Sequence, residues 1–280
     1  MKVTELYRYP LKSAGGLAQA FIEVDTRGFV HDRQYMVVDE QTGMFVSQRS
    51  DRGLGVEIKI MCKVRPTLTS GGEMVLHAEG MESLFIAGDE AQTWQSKDVQ
   101  VWSNKFPAKD AGDNAAEWLN AFLGKERPGK YRLVRFDDEH QRKAKRGNAE
   151  LAFADAYPFM IISRPSLNDL NERMGGERLA MDRFRPNIVI DGCDPYGEDH
   201  MKRIRINGVE LEGMKLCVRC PLTMTDQDTA KRGKEPLRTL STYRKNPYPG
   251  ENGVVFGRNF NHTGTGTIKI GDEFEVLEWD

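Results

Sequence analysis

The sequence predicts a mainly β fold of the α+β class with a few helices, on three observations. Ten short runs rich in Val, Ile, Phe and Tyr are separated by Gly, Asn and Asp, the residues that punctuate strands. Two of those runs contain tight-turn chemistry between alternating apolar residues. Only three segments carry helical spacing.

The strand-like runs are, in chain order, VTELYRYP, FIEVD, QYMVVDEQTGMFVSQ, EMVLHA, VQVW, YRLVRF, FMIIS, NIVIDG, IRINGVELE and IKIGDEFEVLEW. In VVDEQTGMFVS, Gln41, Thr42 and Gly43 form a short hairpin connection. In RINGVELE, Asn207-Gly208 is a pair suited to positive φ at both central positions, so its turn matches the twist of the flanking strands. Both predict antiparallel hairpins.

Among the helical segments, DNAAEWLNAFLG places Ala115, Leu119 and Phe122 on one stripe, with Asp113 as cap and Gly124 as stop. RPSLNDLNERMGG repeats Leu167, Leu170 and Met174 before a glycine pair. EPLRTLSTYRK starts at Pro236 and aligns Leu237, Leu240 and Tyr243. These stripes read as core. The charged stretch RFDDEHQRKAKRGN, residues 135–148, reads as a solvated connection and a domain boundary.

With 280 residues the chain can bury a sizeable core, and two domains are expected. A net charge of −2 argues against a polyanionic partner such as nucleic acid, while 40 Lys and Arg leave room for a local basic pocket. Four cysteines are too few for a secreted disulfide framework. The first twenty residues carry Glu5, Arg8 and Lys12 where a signal peptide needs an apolar stretch, and no run approaches a membrane span of roughly 18 residues. A soluble, cytoplasmic protein with no membrane partner is the expectation.

The chemistry concentrates in KLCVRCPLTMTDQDT, residues 215–229, where Cys217 and Cys220 stand three positions apart. A structural zinc site lacks its second pair, because the five histidines are scattered and no second C-x-x-C exists. A thioredoxin-like pair lacks its βαβ frame, since PLTMTDQDT reads as another strand. Two readings stay open on spacing alone. Both cysteines pack as small hydrophobes, or one serves as a metal thiolate, for which Cys220 beside Arg219 is the better placed.

Other fragments have the composition of an anion site. YPLKSAGG combines a lysine, a hydroxyl and two glycines after a strand. HDRQYMVV and DRFRPNIVI put Arg33, and Arg185 with Asn187, at the starts of apolar strands that would anchor them. For each arginine a surface ion pair is the alternative.

In order along the chain, LYRYPLKS, HDRQYMVVDEQTGMFVSQR, FADAYPFMIIS, RFRPNIVI, CVRCPLTMTDQDT, KEPLRTLSTYR and VVFGRNF followed by GTIKIGDEFEVL resemble the molybdenum cofactor sulfurase C-terminal (MOSC) domain family. Within it they are similar to the amidoxime-reducing component and its bacterial relatives. That resemblance implies an N-terminal MOSC-associated β-rich domain over residues 1–125 and a C-terminal MOSC β-barrel with a few helices over residues 126–280. It implies molybdenum–molybdopterin as cofactor, with Cys220 as metal ligand and Cys217 as packing. It also places Lys12, Ser13, Arg33, Arg185, Asn187 and Arg219 in contact with the cofactor, and it carries a family-level association with pyridoxal phosphate binding. Val218 stands where a serine is common in the family.

Two further residues join the cofactor set. Arg49 follows if the hairpin brings its strand next to that of Arg33, and Asn259, in FGRN, closes the pocket from the C-terminal side. The implied reaction is a two-electron reduction that cleaves the N–O bond of an N-hydroxylated compound (a hydroxylamine, amidoxime or N-hydroxylated base), the oxygen leaving as water. Asp226 and Asp228, just beyond Cys220, would assist proton delivery, with a turn or cap role as their alternative. No four-cysteine cluster is present, so electrons come from a separate donor: a reductase, a ferredoxin-like protein or a cytochrome carrier. The competing functional expectation is a protein that binds or carries the cofactor, or carries sulfur on Cys220, without turnover of its own.

Overall fold

The computed structural model describes residues 1–49, 55–88, 93–248 and 252–280. Its centre is an eight-stranded sheet with the strands in the order Leu17–Gln19, Lys2–Arg8, Ile188–Asp191, Phe159–Ser163, Val255–Thr263, Val209–Val218, Met201–Ile206, Phe274–Trp279. All pairings are antiparallel except Phe159–Ser163 with Ile188–Asp191, which is parallel. A parallel pair requires a crossover, supplied here by the helix Arg164–Met174 and the turns that follow it.

A four-stranded antiparallel sheet orders Ser96–Val101, Asn104–Asp110, Tyr131–Phe136 and Tyr35–Asp39. The sheets therefore do not divide at one point in the chain: strand Lys2–Arg8 pairs with Ile188–Asp191, and Tyr131–Phe136 pairs with Tyr35–Asp39. The segments linking the N-terminal strand of the large sheet to the smaller sheet pass between the two, and they carry Lys12, Ser13 and Arg33.

Three α-helices occur among the described residues: α1 (Asp113–Leu123), α2 (Arg164–Met174) and α3 (Leu237–Tyr243). The apolar stripe of α1 packs on Leu133 and Tyr35 of the four-stranded sheet. Its N-cap is Gly112, with Asp113 in the first turn rather than at the cap, and Gly124 ends it. In α2, Ser163 caps the start by accepting from the Ser166 N–H, and Gly175 ends the helix in the left-handed region where glycine has no Cβ penalty. Helices α2 and α3 cover Ile162, Val189 and Phe256 of the large sheet.

Both expected hairpins form. Strands Met201–Ile206 and Val209–Val218 turn at Asn207 (φ 45°) and Gly208 (φ 83°), and Val38 bridges Phe45 across the turn that ends at Gly43. Two expectations are corrected. PLTMTDQDT is not a strand: Pro221–Met224 is a single 3-10 turn started by Pro221, and the rest is a tight turn. Residues 135–148 are not a solvated connection throughout, because Arg142 is buried and its Nη1 donates to the Ala152 and Ala154 carbonyls at 2.7 and 2.6 Å. That guanidinium fixes a segment, Ala152 to Asp155, which lines the site below. No helix among the described residues is long and apolar enough to cross a membrane.

Candidate functional site

A cavity of about 290 Å³ lies where the two sheets and their connecting segments meet, and its lining includes Cys220, Lys12, Ser13, Arg33, Arg49, Arg185, Asn187, Arg219 and Asn259. Residues spread over nearly the whole chain thus converge. The volume sits at the lower end of the roughly 300–1,000 Å³ of small-molecule and cofactor sites.

Each side chain reaches the cavity for a local reason. Strand Val209–Val218 pairs with Val255–Thr263, but its register shifts between Gly213 and Lys215 and again between Leu216 and Val218. Such irregularities re-aim side chains, and Lys215 and Cys217 both face the cavity beyond the first shift. Cys220 then leaves the strand in extended backbone, and its carbonyl is held by the Thr223 N–H at 3.1 Å. Ser13, Arg33 and Arg185 have φ of 67°, 48° and 57°, a conformation non-glycine residues adopt at a cost of roughly 1–3 kcal/mol each when the surroundings enforce it.

The buried Tyr9 ring organises two of these cations. The Arg185 guanidinium lies 4.2 Å and that of Arg33 4.4 Å from its centre, a cation–π arrangement. Arg185 donates to the Ala14 carbonyl at 2.5 Å, while Arg33 pairs with Asp32 and donates to Asn187 Oδ1 at 3.1 Å. Burial lowers the Arg185 pKa to about 10. Across the cavity, the buried Lys12 donates to the Phe153 carbonyl at 2.9 Å and pairs with Asp155. Burial pulls the Lys12 pKa down to about 8, against the opposing pull of Asp155. For Asp155 burial pushes the carboxyl up, yet Lys12 and Arg49 hold it well below its ordinary range. Arg49 is 3.8 Å from Asp155 and stacks 4.6 Å from the Trp102 ring centre.

Arg219 donates to the Phe184 carbonyl at 2.5 Å and reaches Cys217 Sγ at 3.1 Å, and its Nε is buried without a partner. An orphaned donor of that kind in a cavity wall fits a ligand acceptor. The Cys220 thiol is pushed up by burial, while Arg49 and then Arg219 pull it back. All four cysteines are free. Among the described residues no cluster of three or more His, Cys, Asp or Glu side chains could hold a metal. Any metal at Cys220 must therefore bring most of its donors with it, which a dithiolene pterin does, and thiolate is the matching soft ligand.

The cavity carries seven cationic side chains, Lys12, Arg33, Arg49, Lys145, Arg185, Lys215 and Arg219, against the single carboxylate of Asp155. In a chain of net charge −2 this is a strong local excess, suited to an anion.

The structure does not bring Asp226 and Asp228 to the cavity. Asp226 accepts from the Thr229 N–H and hydroxyl at 2.8 and 2.7 Å and pairs with Arg183 at 2.7 Å. Asp228 is largely exposed and pairs with Arg65 at 2.8 Å. The turn reading of TDQDT holds for Asp226, and the proton-delivery expectation is corrected for both. Arg33 and Arg49 flank strands rather than lying in them, but they face the same cavity.

Sequence reasoning missed Asp155, Tyr9, Lys145 and Lys215. Lys215 had a readable signal, since it stands two residues before Cys217 on one strand and period two puts both on one face. Nothing local marks Lys145.

Comparison with known families matches the MOSC N-terminal β-barrel domain over residues 1–126 and the MOSC domain over residues 148–275. The chain is 34% identical to mitochondrial amidoxime-reducing component 1 of Mus musculus over 292 residues, covering 98% of this chain and 82% of that protein. It is 33% identical to the Homo sapiens component 1, with the same coverage. It is 31% identical to mitochondrial amidoxime reducing component 2 of Bos taurus, covering 96% and 81%.

Proposed function

Since this chain belongs to the MOSC family, with an N-terminal MOSC β-barrel domain followed by a MOSC domain, we propose that it is a molybdenum-cofactor-dependent reductase of N-hydroxylated compounds. The observation that carries the reading is a soft thiol, Cys220, sharing a cavity with seven cations and a second thiol, Cys217, while among the described residues no cluster of three or more His, Cys, Asp or Glu side chains could hold a metal. The relatives' name, amidoxime-reducing component, supports the substrate class.

Cys220 would ligate the metal. Lys12, Ser13, Arg33, Arg49, Arg185, Asn187, Arg219 and Asn259 would hold the pterin and its phosphate, because fixed guanidinium groups match phosphate oxygens in both charge and fork geometry. When bound, the cofactor supplies the two-electron chemistry. The chain supplies positioning and charge. Tyr9, Ala14 and Phe184 lock Arg185 and Arg219 before any ligand arrives, which lowers the entropy cost of binding. Met160, Phe184 and Leu222 give the cavity an apolar wall that limits water. Asp155, kept ionised by Lys12 and Arg49, accepts hydrogen bonds and does not donate a proton. Burial brings the pKa of Lys12 Nζ down to about 8, so this ammonium can release a proton near neutral pH. Electrons come from a separate donor.

A sulfur carrier would need a thiol activated for attack, and burial pushes the Cys220 thiol the other way. The test is turnover with artificial electrons. The purified, molybdenum-loaded chain with reduced methyl viologen should convert benzamidoxime to benzamidine. A loaded chain that leaves benzamidoxime and simple hydroxylamines untouched would overturn the reading.

A further inference from the structure

The seven cavity cations fall into two groups. Lys12, Arg33, Arg49, Arg185 and Arg219 are engaged by carboxylates or backbone carbonyls. Lys145 and Lys215 are different: among the described residues neither side chain makes a hydrogen bond or an ion pair, yet both line the cavity. Lys145 is exposed and Lys215 half-buried, so they stand toward solvent from the buried Lys12 and Arg185. Their backbones are fixed. The Lys145 N–H donates to the Ala156 carbonyl at 3.1 Å, and the Lys215 carbonyl accepts from Asn259 Nδ2 at 3.4 Å. Both anchoring residues also line the cavity.

Two ammonium side chains without protein partners among the described residues, lining the same cavity as the apolar Met160, Phe184 and Leu222, describe a recognition site for an aromatic or heteroaromatic body with a negative substituent. Resting on the reductase reading, we propose that Lys145 and Lys215 determine substrate specificity, selecting N-hydroxylated aromatic compounds that carry an anionic group. Carboxylate and phosphate share the chemistry. An acidic face of the electron donor is the less favoured occupant, because lysines that line the cavity itself are within reach of a small ligand inside it.

The test uses the cofactor-loaded protein with reduced methyl viologen, which removes donor docking from the rate. The substrates are benzamidoxime and 4-carboxybenzamidoxime, with N4-hydroxycytidine and its 5′-monophosphate as the phosphate arm. Each lysine contributes a partly exposed ion pair, so the anionic member should have the higher kcat/KM by about tenfold or less. The preference should shrink with added salt, vanish in the Lys145→Ala, Lys215→Ala double variant and return with arginine at both positions. Whichever pair shows the preference identifies carboxylate or phosphate as the selected group. Calorimetric binding of 4-carboxybenzamidine against benzamidine gives a readout independent of turnover, so a chain that reduces nothing but prefers the carboxylate keeps the two lysines as an anion-recognition site and loses the reductase reading together with their role in substrate choice. Equal kcat/KM and equal binding within each pair, a preference that survives the double variant, or loss of pterin fluorescence in that variant would overturn it. So would an effect of the lysines confined to assays with a protein donor.

Discussion

Lys12 Nζ donates to the Asp155 carboxylate across 143 positions of sequence, and the pair closes one wall of the cationic cavity. Burial weakens the ammonium and Asp155 supports it, leaving its pKa at about 8 instead of 10.5. Below that pH Lys12 carries the charge that holds an anion, and the charge is lost as pH rises through it. Retention of pterin, followed by fluorescence after gel filtration, should therefore fall across about pH 8. Asp155→Asn removes the supporting charge, so its midpoint should lie at lower pH. The stability sign is opposite: between about 8 and 10.5 the unfolded chain holds the extra proton, so Lys12 favours folding more as pH rises through that window.

Cys220 and Cys217 should separate cleanly. Cys220→Ala removes the one proposed metal ligand and should lower kcat by more than about 100-fold, beyond the 10–100-fold losses of outer-shell changes. Cys217 Sγ only receives Arg219 Nη1, so Cys217→Ala should retain most of the activity. Equal loss in both variants, with circular dichroism unchanged, would return attention to a paired role for the cysteines.

Arg185 is buried and lies over the Tyr9 ring, and no carboxylate pairs with it among the described residues. Truncating one partner of a buried charged contact costs roughly 2–5 kcal/mol, so Arg185→Ala should weaken pterin binding by about that amount. Equilibrium dialysis of the cofactor checks it, and stoichiometric retention at nanomolar protein would contradict the phosphate-cradle assignment.

Gly257 packs closely against the neighbouring strand Phe159–Ser163 of the large sheet. Its φ is 78°, and a Cβ there would lie 2.6 Å from Ile162 Cγ1 and 2.9 Å from the Ile161 carbonyl. Backbone strain and overpacking together should make Gly257→Ala less stable by about 2–4 kcal/mol, read from the urea midpoint. Asp228→Ala, by contrast, should change stability by less than about 0.5 kcal/mol and leave turnover intact.

The strands and helices were legible because period-two and period-3.6 patterns, Asn207-Gly208 and the glycine after α2 are local signals. Residues 221–229 were misread because Leu, Thr and Met have strand propensity, while Pro221 and the Asp226–Thr229 hydrogen bonds impose turns. Arg142 looked solvated because its charged neighbours are, and only the tertiary contacts of the Ala152 and Ala154 carbonyls bury it. The cationic cluster could be anticipated from the motifs, whereas the Lys12–Asp155 pair joins distant loops that no spacing rule connects. Asp226 and Asp228 show the limit of sequence proximity, since a few residues beyond Cys220 the chain has already turned away from the cavity.

X-ray absorption at the molybdenum edge tests the central claim most directly. In the loaded protein it should find one more sulfur scatterer than the pterin alone provides, and Cys220→Ala should lose that sulfur while Cys217→Ala keeps it. An identical sulfur count in the wild type and the Cys220→Ala variant would mean that this thiol does not hold the metal.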